Sequence, residues 1–104
     1  MKFSINKHIF NYITSSPNYI KTKTITLIYR SYNNDCLGFI VPKQLGPANK
    51  RNCFKRQCRN EFHKIYSDNN IKSIGVVVKP KSININYHEI SNIFKRLSSR
   101  LLKN

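Results

Sequence analysis

The sequence predicts an α+β fold: a two-layer sandwich of order α-β-β-α-β-α, with helices packed on one small mixed sheet and room for a further short strand. Three observations carry this reading. Three segments repeat apolar residues at helical period, three shorter ones are rich in β-branched and aromatic residues, and 104 residues suffice for a single core. At this length folding buries roughly 60–70% of the unfolded chain's surface, so residues 1–104 form one domain.

Asn6 to Thr14 places Ile9, Phe10 and Ile13 on one side of a short helix, which stops at Ser15-Ser16-Pro17-Asn18. Thr22 to Tyr29 reads as a strand. Asn33-Asn34-Asp35 reads as a hairpin connection to a second strand, Cys36 to Val41, ended by Pro42; the two should pair antiparallel. From Pro47 to about Tyr66 the pattern is helical, with proline suited to the first turn, until Ser67-Asp68-Asn69-Asn70 breaks it. Ile74-Gly75-Val76-Val77-Val78 is a strand of the doubly buried kind, stopped by Lys79-Pro80. A last helix runs from Asn86 or Tyr87 to Leu102 with Ile90, Ile93, Phe94, Leu97 and Leu101 on its stripe.

Charge narrows the function. Nineteen Lys and Arg stand against four acids, Asp35, Glu61, Asp68 and Glu89, for a net charge of +15. Four scattered acids argue against paired-carboxylate catalysis and against an acid-rich metal cage. A domain this cationic repels itself unless a polyanion is its partner. The 39% hydrophobic content is too high for a disordered basic tail. No apolar run reaches the ~20 residues of a membrane span, and Met1 to His8 shows no secretory signal. Cys36, Cys53 and Cys58 are odd in number, which suits reduced thiols and a cytoplasmic location. The abundance of Ile, Asn and Lys reads as genomic bias.

The central helix carries the functional signal. At about 100° per residue, Phe54, Cys58, Phe62 and Ile65 share one stripe. Asn52, Lys55, Arg56, Arg59 and His63 share the adjacent one, with Arg51 at the border. A basic stripe alone is often only solvated. A compact ridge of cations with an asparagine among them indicates nucleic acid, because Arg can bind phosphate through two bonds and Asn can both donate and accept.

The stretch from Lys43 to Arg59 resembles the signature of the bacterial ribonuclease P protein component. Lys43, Gly46, Ala48, Arg51, Asn52, Lys55, Arg56 and Arg59 match it position by position, and the weaker flanks extend the likeness to nearly the whole chain. Four positions depart from the pattern: Cys53 and His63 stand where the family has Arg, Gln44 where it has Lys, and Asn49 at an apolar position. One lost phosphate contact should weaken binding without changing its kind.

The resemblance implies the small subunit of a ribonucleoprotein that removes the 5′ leader from precursor tRNA, with one protein per RNA. Hydrolysis would belong to the RNA subunit and Mg2+ bound mainly by it, with no catalytic residue expected and no metal ligand assigned on the protein. Lys43, Arg51, Asn52, Lys55, Arg56 and Arg59 would dock on the catalytic RNA. A cleft between the first helix and the sheet would hold the single-stranded leader, with Phe10, Ile28 and Tyr29 as its candidates. The family also implies a left-handed βαβ crossover, against the usual right-handed rule. From the residues alone Phe10 reads as core packing and Tyr29 as a half-exposed strand tyrosine.

Rival readings are weaker. Cys53, Cys58 and His63 diverge around their helix and cannot share a zinc ion. A protein-borne nuclease lacks an oriented base beside a nucleophile. A lipid-surface role would need the apolar stripes that the core requires. The nearest alternative is a non-enzymatic RNA-binding protein of the ribosomal kind, separated only by the Lys43-to-Arg59 signature.

Overall fold

The computed structural model describes residues 5–33, 35–68 and 73–102. The element order is α1 (Lys7–Thr14), β1 (Tyr19–Lys21), β2 (Ile25–Ser31), β3 (Cys36–Phe39), a 3-10 turn (Lys43–Leu45), α2 (Ala48–Asp68), β4 (Ile74–Pro80) and α3 (Tyr87–Leu102). The expected helices and strands are present, and the further short strand is β1. Asn34 of the expected hairpin connection, and Asn69 and Asn70 of the expected helix breaker, lie outside the described residues.

One pairing differs from expectation. β2 and β3 are not neighbours: the sheet order is β1-β2-β4-β3, so β4 lies between them. β4 pairs antiparallel with β2, from Ile25↔Pro80 to Ser31↔Ile74, and parallel with β3, from Cys36↔Gly75 to Phe39↔Val78. The physical reason is burial. β4 buries six of its seven residues, and the sheet's centre is the place where both its faces are covered. The tight hairpin is instead β1–β2, closed by Thr22, whose hydroxyl accepts from the Ile25 N–H at 3.0 Å while its own N–H donates to the Ile25 carbonyl. β3, α2 and β4 then form the parallel crossover.

The sheet separates two cores of unequal size. On one face Leu27, Leu37, Val76 and Val78 meet Phe54, Cys58 and Phe62 of α2 and Ile90, Ile93, Phe94 and Leu97 of α3. On the other, α1 lays Ile13 onto Cys36 and Val77, bordered by Phe10, Ile28 and Ile40. Gly75 permits this close seat, since a Cβ there would collide with the Ile13 side chain. Asn6 caps α1 by accepting the Ile9 N–H at 2.9 Å. α3 opens with a reciprocal capping box, in which Asn86 accepts from the Glu89 N–H and Glu89 accepts from the Asn86 N–H.

One carboxylate is buried between helices. Glu61, 4% exposed, accepts hydrogen bonds from the Tyr87 hydroxyl of α3 and from Lys64. Burial pushes its pKa upward, but bonds from Tyr87, Lys64 and Ser91 outweigh that, and the carboxyl lies below its ordinary value of 4.5. Because the folded value is depressed, Glu61 stabilises the fold fully above pH 4.5 and loses that contribution as the pH falls through its folded pKa. Glu61→Gln is expected to cost ~1–3 kcal/mol at neutral pH and to make stability less sensitive to acid. Urea melts of both proteins from neutral pH down to about pH 3 check this; parallel acid profiles would refute it.

Candidate nucleic-acid interface

The α2 ridge is built from its buried stripe outward. Phe54, Cys58, Phe62 and Ile65 are buried, as the helical pattern predicts. The same rotation leaves Asn52, Arg56, Arg59 and His63 exposed and Lys55 half-buried. Arg59 is positioned by an aromatic pair: its guanidinium lies 5.5 Å from the centre of the Phe39 ring, which meets Phe54 edge-on at 6.5 Å. Arg56 donates to the sulfur of the half-buried Cys53 at 3.6 Å. Arg51, at the border, donates from Nε to the Gly46 carbonyl at 3.0 Å and ties the helix to the turn that precedes it. That turn needs glycine at position 46, where a Cβ would stand 3.0 Å from Ile83 Cγ2. It also carries the exposed Lys43 at the ridge's entrance.

The ridge keeps its charge because Glu61, the acid nearest to it on the same helix, faces inward. Among the described residues the one carboxylate–cation bridge is Glu61–Lys64, away from the ridge. The six residues expected to dock RNA therefore lie together on α2 and the turn before it. Cys58 is inert by environment: burial drives its thiol well above the ordinary cysteine range. Cys53, Cys58 and His63 diverge as the helix requires, and no cluster of three or more metal-ligating side chains occurs among the described residues.

The second surface lies on the α1 side of the sheet. Strand alternation turns Tyr19, Lys21, Thr26, Ile28 and Lys79 toward this side. With Ser16 and Lys81 they line a basin of about 380 Å³ beside α1. Phe10 and Ile28 both pack against the small core around Val77, so they share one wall. Tyr29 does not join them: it lies one residue out of phase and packs against the larger core, on the opposite face of β2. The grouping of Phe10, Ile28 and Tyr29 thus holds for the first two only, because the sheet register fixes a phase that the sequence leaves open.

Sequence reasoning missed Lys21, Lys79 and Lys81. The alternation Val77-Val78-Lys79 is visible in the sequence, but the register that aligns Lys79 with Thr26 is not. A further cluster sits at the end of α1. The Arg30 guanidinium lies 4.0 Å from the Tyr12 ring centre and donates to the Tyr12 carbonyl, and Tyr32 stacks obliquely at 5.8 Å.

The family model described as Ribonuclease P matches residues 5–102. The ribonuclease P protein component of Mycoplasma mobile is 30% identical over 80 residues, covering 73% of this chain and 71% of that protein. The ribonuclease P protein of Thermotoga maritima superposes with a TM-score of 0.73 at 20% identity, covering 95% of this chain and 97% of the other. That of Staphylococcus aureus gives 0.73 at 22% identity, covering 99% and 94%.

The geometry separates two kinds of arginine. Arg56→Ala and Arg59→Ala should leave stability within about 0.5 kcal/mol of wild type. Each should weaken RNA binding and reduce its dependence on log salt by about one unit. Arg51→Ala should do both and also lower the melting temperature, since it removes the bond to Gly46. Salt titrations of RNA binding beside thermal melts check this; an unchanged salt slope for Arg59→Ala would remove it from the interface.

Proposed function

The chain belongs to the ribonuclease P protein family, and from that premise we propose how it serves as the protein subunit of that ribonucleoprotein. The α2 ridge docks on the catalytic RNA, one protein per RNA, and the α1-side cleft holds the single-stranded 5′ leader of precursor tRNA. The observation that carries this reading is a cationic helix face, anchored by its own buried stripe and bridged by no carboxylate among the described residues. Arg56 and Arg59 supply planar donors for phosphate, Lys43 and Lys55 point charges, and Asn52 a directional donor and acceptor.

The cleft has the chemistry of a single-strand site. Ile28 offers an apolar floor among Lys21, Lys79 and Lys81, which stand ready to meet the backbone, and Phe10 packs on the same small core under α1. The protein supplies binding and orientation, and the bond-breaking step belongs to the RNA. Magnesium ions are the cofactor that the RNA carries. Three free cysteines suit work in the reducing cytoplasm, and no helix among the described residues is long and apolar enough to cross a membrane.

Reconstitution with the RNA subunit and precursor tRNA at low magnesium tests this. Removal of the 5′ leader should be stimulated by the protein. Absence of stimulation, with tight binding to ribosomal RNA instead, would favour a general RNA-binding role. Phe10→Ala should reduce affinity for leader-bearing precursor relative to mature tRNA, by an amount set by the ~1–3 kcal/mol of one base stack. Lys79→Gln, on an exposed side chain, should do the same without a change in melting temperature. Should Phe10→Ala lower only the melting temperature, that residue is core.

A further inference from the structure

The larger concavity lies elsewhere, between α3 and the β1–β2 turn. It encloses about 760 Å³ against about 380 Å³ for the cleft basin, room for a length of chain and not only for one ion. Lys23 of the turn and Lys95, Arg96 and Arg100 of α3 line it. Lys95, Arg96 and Arg100 are exposed, off the buried stripe of Ile90, Ile93, Phe94 and Leu97, and Ile93 of that stripe lines the groove beside them.

Its one acid does not cancel these cations. Glu89 accepts from the Asn86 N–H in the α3 capping box and from the Thr24 hydroxyl at 3.3 Å, which fixes the turn against the helix. Among the described residues no carboxylate bridges Lys23, Lys95, Arg96 or Arg100. Four cations thus remain on one groove, at the side of the sheet where α3 packs against β1 and β2.

The groove and the cleft lie on opposite faces of the sheet and meet at the β1 edge. Tyr19 and Lys21 of β1 line the cleft, and the very next residues, Thr22 to Thr24, line the groove. Arg100 donates to the Tyr19 carbonyl at 3.0 Å and so reaches the edge that divides them. Tyr19 itself is 54% exposed there, a flat ring at the crossing. A single strand leaving the cleft past Tyr19 meets this basic groove next.

We propose that the α3 groove is a second phosphate track, which holds the sugar–phosphate backbone of the 5′ leader upstream of the cleft without reading its bases. This rests on the leader occupying the cleft as set out above. Lysine and arginine on a helix face, with no aromatic lining the groove, suit backbone contact and give no means of base selection.

The test uses the reconstituted ribonucleoprotein with the double variant K95Q/R96Q, both positions being exposed. Precursors with a leader short enough to end in the cleft, and with one long enough to pass the β1 edge, are titrated over a range of salt. Wild type should bind the long-leader precursor more tightly, and the variant should lose that advantage, about tenfold at low salt. Its salt slope for the long leader should fall by about 1.4, near 0.7 for each cation removed from a single-strand contact. Short-leader binding and assembly with the RNA subunit should not change. Equal weakening for both leaders, or weaker assembly, would overturn the proposal in favour of RNA-subunit docking. No change for either leader, or no long-leader advantage in wild type, would make the groove a solvated surface. A wild-type protein that ignores leader-bearing precursor altogether would instead refute leader binding in the cleft.

Discussion

Strand β4 covers both of its faces at once, and the architecture follows from that constraint. Val76 and Val78 face the core shared with α2 and α3, while Val77 faces the core under α1. A strand apolar on both sides belongs at the centre of a sheet with helices on each face. Seating β4 there moves β3 to one edge and the β1–β2 hairpin to the other. It also makes β3-α2-β4 the crossover that carries the cationic helix along the β3 edge. Gly75 within the same strand lets α1 approach closely enough to wall the cleft.

The charge distribution has a matching logic. Of the four acids, Glu61 is buried between α2 and α3, Glu89 caps α3 and holds the β1–β2 turn, and Asp35 accepts the backbone N–H of Ile74 at the start of β4. These three carboxylates serve the fold and do not neutralise the ridge or the groove. A protein so arranged has a high positive field on several sides. That field is a cost to the isolated chain and an advantage against a polyanion with many phosphates, since each contact releases condensed counterions.

The cations are also sorted by kind. On α2, arginines are held by neighbours, Arg59 over Phe39 and Arg51 on the Gly46 carbonyl, so the ridge presents donors in fixed directions. The cleft instead presents lysines beside apolar side chains, which suits a flexible strand whose phosphates vary in position. On the proposed reading, the ridge would meet folded RNA and the softer cleft single-stranded RNA, within one small domain.

Local chemistry was legible in the sequence. The α2 period separates Phe54, Cys58, Phe62 and Ile65 from Asn52, Arg56, Arg59 and His63, because both stripes lie on one helix and depend on no distant contact. The helix bounds, the doubly buried β4 and the Lys43-to-Arg59 signature were readable for the same reason. Strand pairing was not: a short link between β2 and β3 favours a hairpin, and only the gain from burying β4 on both faces overrides it. The phase of β2 came with that pairing, placing Ile28 in the cleft and Tyr29 in the opposite core. Lys21, Lys79 and Lys81, distant in sequence, meet only through the ladder. Sequence determined what each segment is, since periodicity is local; tertiary structure decided which segments share a surface, since that depends on the burial of the whole chain.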